Sequence, residues 1–505
     1  MISIQNTVSY LYSKRQKIAK FIIFILLFLA ISIGFFTRIY SVFQYDQFGG
    51  DQARDAFVYA KMRQGEWPLL GPGSSVGGYA LPPLYYYLNF IVSFGSLDPA
   101  MQAFPNALFS FLSIPLLAYF ILLLLNGFKS HRAWLVASFG ALWWSLFFND
   151  IVLNNLEWNP NSVPFFLLML LVLIAKVSEP NLKLAKKIII WSVLGLAVSI
   201  LMSLHSSALF VVPAVFTIFV LIYLIKNRRI KSSWFSLLSF VMIFIMHLSY
   251  LYGEFGRGFE NTKNIISTVT QSSAGGYTFF ERFDRSLFNY LELGNLAYFA
   301  AKNMGTIAHF FLSVVLGLAV VKFKGNKTLW AFLWGIWLVF SYAASSFWGT
   351  FYIHYKILIW FAPIVFTAVY LQYFNFKNIK QVILAAVVLI LSLHSISINY
   401  NTTVMYLDGK YGSQRLALTS DISELLKTLP ESSRLCTSND YELSYKYIAS
   451  VSNPKNVSIT QICEDSDIKI YYRYLRQGDF KLIKNNSNVN INQKYFENEA
   501  ILVYS

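Results

Sequence analysis

Apolar stretches of about 20 residues recur along the first 400 residues of the chain, and polar segments separate them. A stretch of about 20 apolar residues is long enough to cross a bilayer as a helix. The pattern predicts eleven membrane-spanning helices, at about 18–40, 102–125, 132–149, 160–176, 186–202, 207–226, 232–251, 305–322, 328–346, 355–373 and 380–399. We therefore predict an all-α polytopic membrane protein with additional helices lying at the outer membrane surface.

The pattern changes after residue 400, where the chain becomes polar. Short β-type stretches predict strands at 457–460, 468–472 and 500–504, and residues 421–429 predict a short helix. Two domains are expected, a transmembrane domain (1–400) and a small extracytoplasmic α/β domain (401–505). The only two cysteines, Cys436 and Cys463, lie in the second domain. A disulfide between them and two separate buried thiols are both consistent with the sequence.

Composition and charge support this organisation and predict which loops face the cytoplasm. Only 13% of the residues are charged, whereas soluble domains carry about 25%. The net charge is +16, and short loops rich in Lys and Arg are normally cytoplasmic. This rule predicts a plasma-membrane protein with a cytoplasmic N-terminus, and it puts loops 43–101 and 252–304 and the C-terminal domain outside. The basic excess then faces membrane lipids and the cytoplasm, and no nucleic-acid partner is expected.

The first outer loop contains an acidic cluster. Gly49 and Gly50 precede segment 51–55 (DQARD), and they suit the start of a helix running to about residue 64. Asp51 and Asp55 would share one face of that helix, with Arg54 beside Asp51. A carboxylate here could deprotonate an attacking hydroxyl, and a cation could stabilise a departing phosphate. The alternative is that Asp51 caps the helix and pairs with Arg54 on a solvated face.

All sizeable polar segments are predicted to lie outside, where nucleotide sugars are generally absent. The sequence contains no Gly-rich phosphate loop after a strand and no Rossmann pattern. A transferase working on that side needs an activated donor that has already been moved across the membrane. A sugar linked to a polyprenyl phosphate is a donor of this kind.

Three segments together, 51–55, 65–72 (GEWPLLGP) and 82–87 (PPLYYY), resemble the first outer loop of the polytopic C-type glycosyltransferases. Protein O-mannosyltransferases and lipid A aminoarabinose transferases are familiar members of this superfamily. The resemblance covers residues 1 to about 125. It implies that Asp51 is the catalytic carboxylate and that the helix at 82–95 is interfacial.

The chain departs from the family pattern at three positions. Gln52 stands where the family usually has Glu, Asp55 where Tyr is common, and Leu81 where a basic residue is often found. Asp55 could restore the lost carboxylate from the next helical turn. A divalent cation, Mg or Mn, held by Asp51 and Asp55 is therefore a further hypothesis.

Other candidate site residues are basic, acidic or aromatic side chains of the predicted outer surface. Those predicted to contact the donor phosphate are Arg54, His354, Lys356 and Arg257. Those predicted to contact the acceptor or a sugar are Glu157, Trp67 and Tyr85. Each has an ordinary alternative, namely a snorkelling or solvated charge, a polar helix start, or an interfacial aromatic.

The sequence thus predicts a membrane glycosyltransferase, transferring a hexose or pentose from a polyprenyl-phosphate donor to a protein, lipid or glycan acceptor. Asp51 would be the general base. One alternative is an oligosaccharide ligase or polymerase that uses lipid diphosphate donors. A lipid or sugar transporter is less favoured, because transport sites usually lie at mid-membrane, whereas nearly all acidic residues before residue 400 lie in predicted outer loops, Glu179 being the exception.

Overall fold

The computed structural model of the protein consists mainly of helices. It describes residues 2–44, 48–74, 77–179, 182–227, 231–273, 281, 325–345, 353–407, 422–423, 426–427, 429, 431–437, 442–452, 457–460, 468–472, 490–495 and 500–504. The helices are α1 (Ile2–Gly34), α2 (Gly50–Arg63), α3 (Leu84–Val92), α4 (Pro99–Leu125), α5 (His131–Ser145), α6 (Phe148–Leu153), α7 (Val163–Val177), α8 (Leu184–Leu204), α9 (Ser206–Lys226), α10 (Leu238–Met246), α11 (Leu248–Gly256), α12 (Glu260–Ser273), α13 (Lys327–Ser345), α14 (Ala362–Tyr373), α15 (Ile379–Leu407) and α16 (Glu442–Ser452). A π-helical turn (Phe35–Tyr40) and three 3-10 turns (Asn159–Ser162, Lys231–Leu237 and Ile353–Ile359) extend or precede some of them.

Many of these helices are suited to a membrane. Among the described residues, seven helical segments are long and apolar enough to cross one, and a bent pair of helices makes an eighth. The predicted polytopic all-α membrane fold is thus confirmed. The count of eleven spans stays a prediction, and the one expected at 305–322 lies outside the described residues.

Several predicted spans differ in detail from the observed helices. The span expected at 132–149 is divided, since α5 ends at Ser145 and α6 begins at Phe148. The span expected at 232–251 bends by 47° between α10 and α11. His247 lies at this bend, and its Nδ1 is 2.8 Å from the carbonyl oxygen of Ile243. A side chain that competes for a helix carbonyl is a known cause of such a kink.

The two outer helices match the pattern of the first loop. The helix expected up to about residue 64 is confirmed as α2. The helix α3 has nine residues, which corresponds to about 14 Å of length. A bilayer core is about 30 Å thick, so α3 is too short to span it.

The largest core lies between the membrane helices. Buried aromatic and aliphatic side chains of α4, α5, α7, α8, α9 and α14 form one cluster, in which Trp143, Trp144, Trp191 and Trp360 are fully buried. By contrast, few of the apolar side chains of α1 from residue 16 onward, and few of those of α15, are buried. Such surfaces suit contact with lipid chains.

The C-terminal region contains a mixed sheet with the strand order β2-β1-β3-β5-β4. Its strands are β1 (Arg434–Cys436), β2 (Ser458–Thr460), β3 (Ile468–Tyr472), β4 (Asn490–Tyr495) and β5 (Ala500–Tyr504). Strand β1 runs parallel to β2 and β3, and β5 runs antiparallel to β3 and β4. Strands β2, β3 and β5 coincide with the predicted strands, whereas β1, β4 and α16 were not predicted.

Two predictions for this region remain open. Of the helix expected at 421–429, the structure describes helical residues at 422–423 and 426–427. Cys436 is disulfide-bonded. Cys463 lies outside the described residues, so the pairing of the two cysteines stays a prediction, as does the domain boundary at residue 400.

Candidate active site

The start of α2 places Asp51 in the first helical turn. Gly49 is the N-cap residue, and its backbone N–H donates to the side-chain oxygen of Gln52 at 3.1 Å. The interpretation of Asp51 as the helix cap is therefore wrong. The Asp51 side chain is 52% exposed, and a negative charge in the first turn is favourable to the helix dipole. Asp51 is thus free of a capping role and open to solvent.

Arg54 joins the two aspartates of α2. Its Nη1 lies 2.8 Å from Oδ1 of Asp51, and its Nε lies 2.8 Å from Oδ1 of Asp55. Asp55 is fully buried and also accepts a hydrogen bond from the hydroxyl of Tyr86 at 2.7 Å. The expected pairing of Arg54 with Asp51 is present, and Arg54 holds the buried Asp55 as well.

A second buried carboxylate, Glu157, lies against this helix. It accepts hydrogen bonds from the hydroxyls of Tyr59 (2.6 Å) and Tyr85. The side-chain amide of Gln52 donates to the Glu157 backbone oxygen at 2.9 Å, and that of Asn89 donates to the Tyr59 hydroxyl at 2.9 Å. Residues of α2, α3 and the segment before α7 therefore form one polar network beneath Asp51.

Burial changes the proton affinities in this network. Burial raises the pKa of Asp55, even though the charge of Arg54 acts in the opposite direction. Burial first, and the negative charge of Asp55 second, raise the pKa of Glu157 well above the usual carboxyl range. Among the described residues, Oδ2 of Asp55 and Oε2 of Glu157 have no hydrogen-bond partner. Glu157 therefore keeps a proton to higher pH than a carboxyl in water.

The divalent cation predicted between Asp51 and Asp55 stays a prediction. A Mg or Mn ion would need their carboxylate oxygens as ligands. The guanidinium of Arg54 already bridges these two side chains. In the described ranges, no group of three or more His, Cys, Asp or Glu side chains is placed to hold a metal ion.

The turn that contains His354 and Lys356 packs beside Glu157. The His354 ring is 4.6 Å from the ring of Trp158, the residue after Glu157, and 6.0 Å from the ring of His205. Lys356 is buried. The fold thus brings the turn at the mouth of the predicted tenth span next to the segment that contains Glu157, although about 200 residues separate the two along the chain.

The remaining candidates lie elsewhere or are covered. Arg257 forms an ion pair with Glu254 at 3.2 Å, and Trp67 packs edge-on against Tyr87 with a ring separation of 5.4 Å. Neither takes part in the hydrogen-bond network that the described residues form around Glu157. Tyr85 is buried and supports Glu157. Trp67, which is 49% exposed, is the predicted sugar contact that has an open surface.

The sequence did not identify the partners of the buried carboxylates. Tyr59, Tyr86 and Asn89 complete the network, and one sequence signal for them existed. Asp55 and Tyr59 are four residues apart on α2 and so share one helix face. The contacts with α3 depend on the tertiary fold.

Comparisons with known proteins identify the fold. No protein-family model matches the chain, and no curated protein sequence matches it. Among solved structures it is similar to ArnT from Cupriavidus metallidurans bound to undecaprenyl phosphate, with a TM-score of 0.54, 11% identity and coverage of 95% of this chain and 97% of ArnT.

The oligosaccharyltransferase AglB from Archaeoglobus fulgidus, solved with an inhibitory peptide and a dolichol-phosphate, also aligns. Its TM-score is 0.48, with 12% identity and coverage of 86% of this chain and 65% of AglB. The similarity to ArnT extends over almost the whole of both chains, and the sequence motifs of the first outer loop agree with it. The chain therefore shares its polytopic membrane fold with ArnT.

Proposed function

We propose that this protein is a membrane glycosyltransferase that moves a sugar from a polyprenyl-phosphate donor to an acceptor hydroxyl on the extracytoplasmic side. The fold is shared with ArnT, a protein solved with undecaprenyl phosphate bound. The motifs in segments 51–55, 65–72 and 82–87 support the same reaction class. A fold alone does not define an activity, so the site must carry the proposal.

The observation that carries it is the exposure of Asp51 above a buried acidic network. Of the three carboxylates in the cluster, Asp55 and Glu157 are buried, whereas Asp51 is half-exposed. A general base must come within hydrogen-bond distance of the proton that it removes. Asp51 is therefore the carboxylate that an acceptor can reach, and Arg54 holds it in place.

The reaction follows from this assignment. The acceptor oxygen attacks the anomeric carbon of the sugar, and its proton passes to the Asp51 carboxylate. The bond between the anomeric carbon and the phosphate oxygen breaks, and its electron pair leaves with the polyprenyl phosphate. Attack from the face opposite the leaving group inverts the anomeric configuration. Lys356 supplies an ammonium group and His354 a ring N–H, and both stabilise the departing phosphate.

The remaining assignments concern the substrates. Trp67 offers a half-exposed aromatic ring to a sugar, and aromatic rings are suited to such stacking. The acceptor, whether protein, lipid or glycan, approaches from outside the membrane, because the positive-inside rule orients loop 43–101 to that side.

The test is sugar transfer in membranes that contain the full-length protein. Radiolabelled polyprenyl-phosphate hexoses and pentoses are supplied, and both transferred label and released polyprenyl phosphate are measured. The variants are Asp51→Asn and, as a matched control, Glu66→Gln, which alters an exposed carboxylate of the same loop. We expect Asp51→Asn to reduce transfer by about 10²–10⁴-fold, the usual contribution of a general base, and Glu66→Gln to leave it unchanged.

Two results would contradict the proposal. If the wild-type protein consumes none of these donors, the reaction class is wrong. If wild type and Asp51→Asn transfer sugar equally at equal expression, Asp51 is not the base.

A further inference from the structure

The helix α2 has two opposite faces with different surroundings. Asp55 and Tyr59 lie on the face that carries the acidic network, whereas Ala53 and Phe57 lie about half a turn away and Ala56 about a quarter of a turn away. On that second face, Ala53 and Ala56 are fully buried. Their small side chains allow another element to approach the helix backbone closely.

That element is α16 of the C-terminal region. Phe48, Ala53 and Ala56 belong to one buried cluster, which is completed by side chains from beyond residue 420. These are Ile422, Leu426, Leu429, Leu435, Tyr445, Tyr447, Ile448 and Val457. The helix that carries Asp51 is therefore packed between the acidic network and the C-terminal region.

Tyr447 of α16 makes specific contacts across this interface. Its ring lies edge-on to Phe57 with a centroid separation of 5.2 Å, and 5.5 Å from the ring of Phe48. Its hydroxyl donates to the backbone oxygen of Leu97 at 2.8 Å and accepts from the side-chain amide of Gln102 at 3.1 Å. One side chain thus joins α2 to the start of α4.

A chain of hydrogen bonds continues from Tyr447 to the acidic network. The Asn89 amide donates to the backbone oxygen of Gln102 at 3.0 Å and to the Tyr59 hydroxyl at 2.9 Å. The Tyr59 hydroxyl then donates to Glu157 at 2.6 Å. Tyr447 is therefore connected to both faces of α2, through its ring on one side and through this chain on the other.

We propose that Tyr447 is a positioning residue for the transfer reaction. It touches neither the donor nor the acceptor, but it fixes α2 against the network so that Asp51 faces the substrate. This inference rests on the proposed function and assigns a role to the C-terminal region, namely support of the active-site helix from behind. A displacement of about 1 Å in a reacting group can reduce a rate by about 100-fold. Firm packing behind α2 should therefore raise the rate of sugar transfer.

The test compares three variants of the full-length protein in lipid nanodiscs. Tyr447→Ala removes the ring and the hydroxyl, and Tyr447→Phe removes the hydroxyl only. Leu443→Ala is the matched control, because Leu443 lies on the same helix with 39% of its surface exposed. Two quantities are measured for each, namely hydrogen–deuterium exchange of the amides in residues 50–63 and steady-state transfer of the sugar.

In Tyr447→Ala we expect faster exchange in residues 50–63 and a kcat lower by about 10–100-fold. The KM for the donor should stay unchanged, because His354 and Lys356, which we propose to bind the donor phosphate, do not lie on α2. Tyr447→Phe should retain most of the exchange protection and most of kcat. Leu443→Ala should match wild type in both measurements.

Other outcomes would overturn the proposal. Unchanged exchange in Tyr447→Ala would show that Tyr447 does not hold α2. A raised KM for the acceptor with an unchanged kcat would instead assign the region to acceptor selection. Faster exchange with wild-type kinetics would show that the packing of Tyr447 against α2 does not affect the transfer reaction. The exchange measurement needs no substrate, so it separates failure of this proposal from failure of the proposed function.

Discussion

The Arg38–Asp150 pair and the cluster around Arg54 combine the same residue types but differ in burial and in charge balance. Arg38 and Asp150 are both buried and are joined at 2.8 Å. The other Asp150 oxygen accepts from Asn154 at 3.0 Å. Arg38 also donates to the backbone oxygens of Trp144 (3.0 Å) and Ser145 (2.8 Å). One positive charge meets one negative charge, and both carboxylate oxygens have partners.

The cluster around Arg54 has three carboxylates for one guanidinium. Asp51 is half-exposed, and in the described part of the chain Asp55 and Glu157 each retain one buried oxygen without a hydrogen-bond partner. A balanced and enclosed pair serves stability, because neither group can bind anything else. An acidic excess with one open member and shifted pKa values is typical of a functional site. The two clusters should therefore respond in opposite ways to mutation.

The largest stability effect should come from the enclosed pair. Asp150→Asn leaves the buried Arg38 without a counter-charge, and breaking a buried pair in this way costs about 3–5 kcal/mol. The free energy of unfolding is measured by denaturant titration of the purified protein in detergent micelles. Residual folded molecules should retain transfer activity, because Asp150 does not belong to the Asp51 cluster. A loss below about 1 kcal/mol would mean that the pair is not a structural anchor.

The next effect should come from Glu157, the buried member of the open cluster. Glu157→Ala leaves the hydroxyls of Tyr59 and Tyr85 without their acceptor, which we expect to cost about 2–3 kcal/mol. Glu157→Gln keeps an oxygen in that place and should cost much less. The same titration distinguishes the two variants. Equal losses would show that an acceptor oxygen at this position does not support the fold.

Some of the contacts in these two clusters could be predicted from the sequence. The α2 helix and the pairing of Arg54 with Asp51 follow from local spacing, because residues three or four apart share a helix face. Tyr59 and Glu157 are 98 residues apart, and no local pattern connects them. Segment 150–157 contains two acidic residues, and only the fold decides that Asp150 meets Arg38 whereas Glu157 meets the tyrosines.

Two other features were missed for physical reasons. The bend between α10 and α11 lies at His247 inside an otherwise mostly apolar stretch, and a single histidine in such a stretch does not by itself indicate a bend. The helix α16 was not predicted, and its contact with α2 joins residues almost 400 positions apart. Tyr447 has no feature in its own segment that indicates a role at the active site.

The pH dependence of stability should separate the open cluster from the enclosed pair. The pKa of Glu157 is raised in the folded protein, so this carboxyl contributes stability that is fully present below its unfolded pKa of about 4.3 and is lost as pH rises through the folded pKa. The Asp55 pKa is shifted in the same direction. Glu157→Gln should therefore reduce, without abolishing, the decline in stability above about pH 4, by on the order of 1 kcal/mol. Thermal unfolding from pH 4 to 8 measures this, and a slope identical to that of wild type would contradict it.

The smallest stability effect should belong to the residue with the largest effect on transfer. Asp51→Asn removes one exposed partner of Arg54, and exposed ion pairs contribute only about 0–1 kcal/mol. Arg54 keeps its contact with Asp55, so the helix loses little. The same substitution should reduce transfer by about 10²–10⁴-fold. A large loss of transfer with little loss of unfolding free energy identifies a general base, whereas a structural residue would lower both. If Asp51→Asn destabilised the protein as much as Asp150→Asn does, the lost transfer would reflect unfolding, and the two arginine clusters would be alike.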